Sequence, residues 1–231
     1  MIVVKAGGNA IWPRGAEAVD EQFMAALVAF VRQLISDGDR VVLVPGGVGG
    51  QYFIPWAREV GCSEAEMNHI GCTLINTAAL IVRRYFSAHH GSAFRTCPVV
   101  AQSLADVELH SESFDLVVSG ASSPGAITSD SLAALIAEHL RARLVIIKSG
   151  YPYEAERMET TEGNHRVISN RRLSDYITRG GTPFRAGHHA SLDYVSLRVV
   201  ERANLETALL SAGDLLAWRS GAPMHMLHIR P

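Results

Sequence analysis

The sequence predicts an α/β fold, a mainly parallel sheet with helices on both faces. Short apolar runs of strand composition, Ile2–Val4, Arg40–Val44, Leu116–Ser119 and Leu144–Ile147, alternate with longer stretches of helical periodicity. That alternation builds βαβ units rather than hairpins. The first two runs also end in glycine-rich turns, Lys5-Ala6-Gly7-Gly8-Asn9 and Pro45-Gly46-Gly47-Val48-Gly49-Gly50. A buried strand followed by glycines is how α/β folds bring backbone N–H groups close to a phosphate.

Composition sets bounds. The 231 residues are 48% hydrophobic and 19% charged, enough for one sizeable α/β domain or two small lobes sharing a sheet. A net charge of -2 without a long basic run argues against nucleic acid as a partner. Cys62, Cys72 and Cys97 contain no CxxC pair, so neither a disulfide framework nor a zinc site is expected and a reducing cytoplasm is the default. The N-terminal MIVVKAGG lacks the apolar core of a signal peptide. No apolar run reaches the roughly 18 residues of a transmembrane helix, so no membrane partner is expected.

Taken in order, Ile2–Val4 is the first strand and leaves Lys5 at its end. Val19–Ile35 reads as a helix with Phe23, Leu27, Phe30, Val31 and Leu34 on one side, stopped at Asp37-Gly38-Asp39. Arg40–Val44 is a strand apolar on both faces. Gln51–Val60 reads as helical despite Pro55, and Ser63 caps a longer helix, Glu64–Tyr85. Cys97–Ala101 is expected to be a short strand, Asp106–Glu112 a polar turn, and Leu116–Ser119 and Leu144–Ile147 buried strands. Glu154–Arg166 is charged and is expected to be a mobile surface segment. Ser174 starts a short helix, Ser191–Asn204 forms another, and Thr207–Leu210 and Met224–Ile229 are the last strands.

The stretch Pro124–Glu138, PGAITSDSLAALIAE, organises the candidate chemistry. A Pro-Gly turn leads into Thr128, Ser129 and Asp130, with Ser129 or Asp130 the expected N-cap. Leu132, Leu135, Ile136 and Leu140 then share a helical face. A carboxylate and two hydroxyls thus stand at a helix N-terminus, where the dipole and unpaired N–H groups favour anions. Alone this is an ordinary capped helix. Beside two glycine turns and Lys5 it becomes one wall of a site for two anionic groups held side by side.

The ordered set VVKAGGNAI, VLVPGGVGG, MNHIGCTLINTAAL, AITSDSLAALIAEHLRARLVII and LDYVSLRVVERANLETALLSAG resembles the amino acid kinase superfamily, especially its uridylate-kinase-like branch. The resemblance covers nearly the whole chain and implies a three-layer α/β/α sandwich around a mainly parallel sheet, with an acceptor lobe over about 1–120 and a nucleotide lobe over about 121–231. It implies transfer of the γ-phosphoryl group of ATP, with Mg2+, to a small-molecule acceptor without a covalent enzyme intermediate. Such chemistry needs positioning and charge neutralisation more than a nucleophile. Carried over by position, Lys5 stabilises the transferring group and Asp130 orients Lys5 or the magnesium. Gly7 and Gly8 offer N–H donors to ATP. Gly46, Gly47 and Gly49 hold the acceptor, and Thr128 and Ser129 contact acceptor or phosphate.

Some positions depart from the branch. Gln51-Tyr52-Phe53 stands where an acceptor-clamping arginine is usual, the nearest arginine being Arg58, and Asn68 stands near a usual ribose-contacting aspartate. Lys148-Ser149-Gly150-Tyr151-Pro152-Tyr153 replaces an Asp-Gly-containing nucleotide segment, leaving Lys148 and Ser149 as the phosphate contacts of that strand end, and the Gly-Thr usual before the last strand is missing from SGAPMHMLHIRP. UMP is therefore the less favoured acceptor, and a small phosphate monoester or acid the favoured one. The chain is similar also to the phosphomonoester kinases of methanofuran biosynthesis and to molybdenum storage proteins. The second likeness implies an alternative, non-catalytic storage of an oxoanion or nucleotide, which the ten histidines with the pairs His89-His90 and His188-His189 would suit. A homo-oligomer is expected from the branch and from the helix Met67–Val82, apolar on more than one face.

Overall fold

The computed structural model describes residues 1–89, 93–121, 128–150, 160–162, 165–169 and 193–230, with the backbone alone described at 160–162, 165–169 and 230. The strands are β1 (Ile2–Ala6), β2 (Val41–Pro45), β3 (Leu116–Val118), β4 (Arg143–Lys148), β5 (Thr160–Glu162), β6 (His165–Ser169), β7 (Thr207–Ser211) and β8 (Leu227–Arg230). The helices among the described residues are α1 (Gly8–Ile11), α2 (Glu21–Ser36), α3 (Gly50–Glu59), α4 (Glu64–His89), α5 (Leu104–Ser113), α6 (Ser129–Leu140), α7 (Tyr194–Arg202) and α8 (Ala212–Arg219). One sheet runs through both halves of the chain in the order β3-β2-β1-β4-β7-β8-β6-β5. It is parallel from β3 to β7 and between β6 and β8, while β5–β6 and β7–β8 are antiparallel. The predicted α/β sandwich is the observed fold.

Alternation along the central strands sorts the core into two layers. Ile2, Val4 and Ala6 of β1, with Val145 and Ile147 of β4, pack against α2, α4 and α8. Val3 of β1, with Leu144 and Ile146 of β4, packs against α6 and α7. By the same alternation Lys5 and Lys148 fall on the α6 side, each ending the inward-facing row of its strand. β1 is flanked by β2 and β4, and the chain leaves it first to one side and later returns on the other. The C-terminal ends of β1 and β4 therefore bound the switch point at which open α/β sheets bind ligands.

Several expectations change. Asp106–Glu112 is not a turn but the body of α5, whose N-cap Ser103 accepts a hydrogen bond from the Asp106 N–H at 3.0 Å. Only Val107 and Ser111 of it are buried, too few to give a helical signal. Cys97–Ala101 forms no strand; isolated bridges join Thr96 to Leu116 and Ala101 to Ser119. Pro98, between them, has no N–H to offer a ladder. In and just beyond Glu154–Arg166, Thr160–Glu162 and His165–Ser169 make an antiparallel pair. Helix α8 carried no expectation; Ser211 caps it, and Trp218 sets its ring edge-on to Phe30 of α2 at 5.9 Å. The Pro124-Gly125 turn, the Ser174 helix, His90 and the His188-His189 pair lie outside the described residues. No described helix is long and apolar enough to cross a membrane.

The two glycine turns touch. Ala6 pairs with Pro45 at the ends of β1 and β2, so the turns leaving the two strands must pass each other at backbone distance. A Cβ on Gly46 would lie 2.3 Å from the Gly8 nitrogen, and one on Gly8 would lie 2.7 Å from the Gly47 carbonyl oxygen. Gly46→Ala should therefore cost about 2–3 kcal/mol or more through backbone overlap. Gly50→Ala, whose Cβ would meet nothing nearer than 4.0 Å at the start of α3, should be neutral or stabilising. Chemical denaturation of both variants checks this, and equal midpoints would contradict it.

Candidate active site

The chain contains only two lysines, Lys5 and Lys148. Both end on one carboxylate. Lys5 Nζ lies 2.7 Å from Asp130 Oδ1, and Lys148 Nζ donates to Asp130 Oδ2 at 2.5 Å. Lys5 is 3% exposed and Asp130 5%; the Lys148 side chain is partly open. Lys5 was expected at a strand end facing the site, but it lies within β1, paired with Val44 and Ile146. Asp130 is in the first turn of α6, and α6 reaches the sheet through Leu132, Ala133, Ala134, Ile136 and Ala137, all buried. The three residues thus come from three elements that otherwise bury mainly apolar side chains.

Burial pulls the Lys5 ammonium down to about 8, the Asp130 charge opposing it and the Lys148 charge adding to the fall. Burial raises Asp130, but the Lys148 and Lys5 charges outweigh it and leave the carboxyl at about 2. At neutral pH the cluster holds two ammonium groups against one carboxylate, an excess of positive charge beneath the glycine turns. A Cβ on Gly7 would stand 3.8 Å from Lys5 Nζ.

The other site candidates separate into two sets. Gly7 and Gly46 are buried, and their N–H groups are already committed, Gly7 to the Ile147 carbonyl at 2.8 Å and Gly46 to the Ala6 carbonyl at 2.7 Å. They build the cradle rather than donate to a ligand. Gly8, Gly47 and Gly49 are half-buried at its opening. Gly49 has φ +69°, and a Cβ there would meet the Phe53 ring at 2.9 Å, so this position needs glycine for both its backbone and its neighbour.

Thr128, not Ser129 or Asp130, is the N-cap of α6. It forms a capping box with Ser131, Thr128 N–H donating to Ser131 Oγ at 2.9 Å and Ser131 N–H donating to Thr128 Oγ1 at 3.2 Å. The Thr128 hydroxyl donates to Asp193 Oδ2. Ser129 is half-buried beside it, and Ser149 is exposed just beyond β4. Asp193 was not among the predicted site residues. It caps α7, accepting from the Ser196 N–H at 2.9 Å, and its presence in LDYVSL was the available signal. The rarity of lysine was the signal for pairing Lys148 with Lys5.

No group of three or more His, Cys, Asp or Glu among the described residues is placed to hold a metal ion. Asp130 Oδ2 accepts from Lys148 and Asp130 Oδ1 lies 2.7 Å from Lys5 Nζ, so Asp130 orients both ammonium groups of the chain.

The charge count predicts an asymmetry in stability. Lys5→Ala or Lys148→Ala leaves one lysine paired with Asp130, and both variants should fold. Asp130→Asn leaves two lysines facing each other with no counter-charge. Its cost should be about 3–5 kcal/mol, a fall in Tm of about 6–20 °C by calorimetry. Equal Tm values for the parent and Asp130→Asn would contradict this.

Comparison with known proteins places the arrangement. Residues 1–207 match the Amino acid kinase family. A uridylate kinase of Methanothrix thermoacetophila is 30% identical over 222 residues, covering 93% of this chain and 92% of that protein. One of Methanoregula boonei is 27% identical over 214 residues, covering 90% and 85%. Among solved structures, the uridylate kinase of Archaeoglobus fulgidus superposes with a TM-score of 0.71 at 18% identity over 99% of each chain. The aspartate kinase of Synechocystis superposes with a TM-score of 0.66 at 15% identity over all of this chain and 40% of its own. With the fold, the glycine turns and the lysine–aspartate cluster in one chain, and a family match over residues 1–207, the protein belongs to the amino acid kinase family.

Proposed function

We propose that the protein is an ATP-dependent kinase that transfers a phosphoryl group to a small phosphate monoester or acid. The observation that carries this reading is the convergence of the chain's two lysines on Asp130 beneath two touching glycine turns. The γ-phosphoryl group passes from the β-phosphate oxygen of ATP to an oxygen of the acceptor, giving ADP and the phosphorylated product, and no enzyme nucleophile is needed. Lys5 neutralises the charge spread over the transferring group. Lys148 and Ser149, at the end of β4, face the nucleotide phosphates, and Gly8 completes that side of the cradle. Gly47 and Gly49 hold the acceptor, with Ser129 beside them. Asp130 keeps both ammonium groups in place in a site where they need not reorganise during the reaction. Magnesium would enter bound to ATP, and among the described residues no group of three or more His, Cys, Asp or Glu is placed to hold it alone.

The acceptor side argues for something other than UMP, although the relatives in the comparison carry the name uridylate kinase. Tyr52 and Phe53 are exposed at the start of α3, next to the second glycine turn, where an arginine would clamp a nucleotide phosphate. Arg58 lies in the last turn of α3, 3.9 Å from Glu64. An aromatic rim with glycine N–H groups suits a flat or apolar body carrying an anionic end. Losing a bidentate arginine contact weakens phosphate binding by about 1.5–3 kcal/mol.

Assembly into a homo-oligomer belongs to the same proposal. Leu80 and Ile81 of α4 are exposed, as are Trp56 of α3 and Val60 just after it, apolar surface that a second copy would cover.

Four measurements test the reading. Lys5→Ala should lower kcat by about 10²–10³ with the fold intact, and unchanged turnover would remove its catalytic role. Because Lys5 is a cation only below its pKa of about 8, kcat/KM in the parent should fall as pH rises through about 8, and a flat profile to pH about 10 would count against it. Across a panel of phosphate monoesters and carboxylates, UMP should be a poor acceptor. A kcat/KM for UMP of about 10⁴ M⁻¹s⁻¹ or more would make it the substrate. Light scattering should give a multiple of 25.0 kDa, and a monomer mass at micromolar concentration would refute assembly.

A further inference from the structure

Asp193 lies outside the lysine cluster yet is bound to the residue that starts α6. Its carboxylate accepts from the Thr128 hydroxyl through Oδ2 and from the Ser196 N–H through Oδ1 at 2.9 Å, while the Ser196 hydroxyl donates to the Asp193 carbonyl at 2.8 Å. Thr128 is in turn locked to Ser131 by four polar contacts, from 2.9 to 3.2 Å. Asp130 is two residues on from Thr128, inside that locked turn. One carboxylate therefore joins the N-termini of α6 and α7, helices that also pack along the same core layer.

This arrangement is costly, which argues that it has a use. A threonine at an N-cap needs no partner beyond its own helix. Here a half-buried acidic residue is placed near a second acid. Burial, followed by the Asp130 charge, raises the Asp193 carboxyl above its ordinary range, with the Thr128 and Ser196 hydrogen bonds opposing the rise. The groups that face this carboxylate are Thr128 and Asp130 of α6, Ser196 of α7 and, at longer range, Lys148 of β4.

We infer that Asp193 is a positioning residue for the phosphoryl-transfer site: through Thr128 it fixes the first turn of α6 and so holds Asp130 where both lysines reach it. Two carboxylates then serve two lysines in sequence, the outer one setting the inner one. The inference rests on the kinase reading for its effect on rate, but not for its effect on the lysines.

The test uses Asp193→Ala, Asp193→Asn, Thr128→Val and Thr128→Ser in the full chain. Asp193→Ala and Thr128→Val should each lower kcat at least tenfold with the KM for ATP within about twofold. The double variant Thr128→Val/Asp193→Ala should be no slower than the worse single one, because both act through one hydrogen bond. Asp193→Asn, which keeps an oxygen for Thr128 and a cap for α7, should recover most of the rate, as should Thr128→Ser. The second readout needs no activity. With only two lysines, the Lys5 side-chain NMR signal is readily assigned, and in Thr128→Val its titration should fall below the parent value although no charge has been removed. Unchanged lysine titration in Thr128→Val, or additive losses in the double variant, would overturn the inference. If the parent phosphorylates no acceptor while the Lys5 titration still moves in Thr128→Val, the kinase reading fails and the positioning role stands.

Discussion

The structure depends on one carboxylate buried between two ammonium groups. Asp130 is the first-turn residue of a helix that is otherwise apolar toward the sheet, and the only lysines of the chain close on its two oxygens. Lys5 could not sit inside a central parallel strand without that partner, because an unpaired buried charge costs several kcal/mol. Asp130 could not sit at the sheet without the lysines. The triad therefore fixes how α6 lies across β1 and β4, and with it the position of the switch point. Keeping an excess of positive charge there disfavours the resting protein, and under the proposed function the anionic phosphates of the substrates offset that cost.

The glycines serve the same site in a less direct way. Two adjacent parallel strands whose in-register ends are Ala6 and Pro45 deliver two turns to one place. Side chains at Gly8 or Gly46 would force those turns apart. Their mutual contact closes the floor of the cradle, and the half-buried glycines beyond it, Gly47 and Gly49, form its rim. Gly8 and Gly46 are thus required by the contact between the turns before any ligand is considered, a role that a phosphate-binding reading of glycine-rich turns conceals.

How much is legible in the sequence depends on the range of the interaction. Central strands, α2, α4, α6 and the glycine turns announce themselves through local pattern, and Lys5 with Asp130 emerges from the order of motifs. Thr128 as the cap of α6 was missed because Ser129 and Asp130 are equally good caps by type; the choice falls to Thr128 through its capping box with Ser131 and its bond to Asp193, 65 residues away. Lys148 on Asp130 depends on strand register and helix placement, which no local window contains. Helices α5 and α8 are short and bury few residues, so their periodicity is faint, while their caps, Ser103 and Ser211, are ordinary serines until the structure shows what they bind.

Lys5 is a charged, buried group held by Asp130 rather than a solvated lysine. The most direct test is an NMR pH titration of the side-chain nitrogens in protein labelled at lysine, where only two signals are present. The Lys5 signal should titrate at about 8. Titration of both lysines near the ordinary 10.4 of a solvated lysine would contradict it.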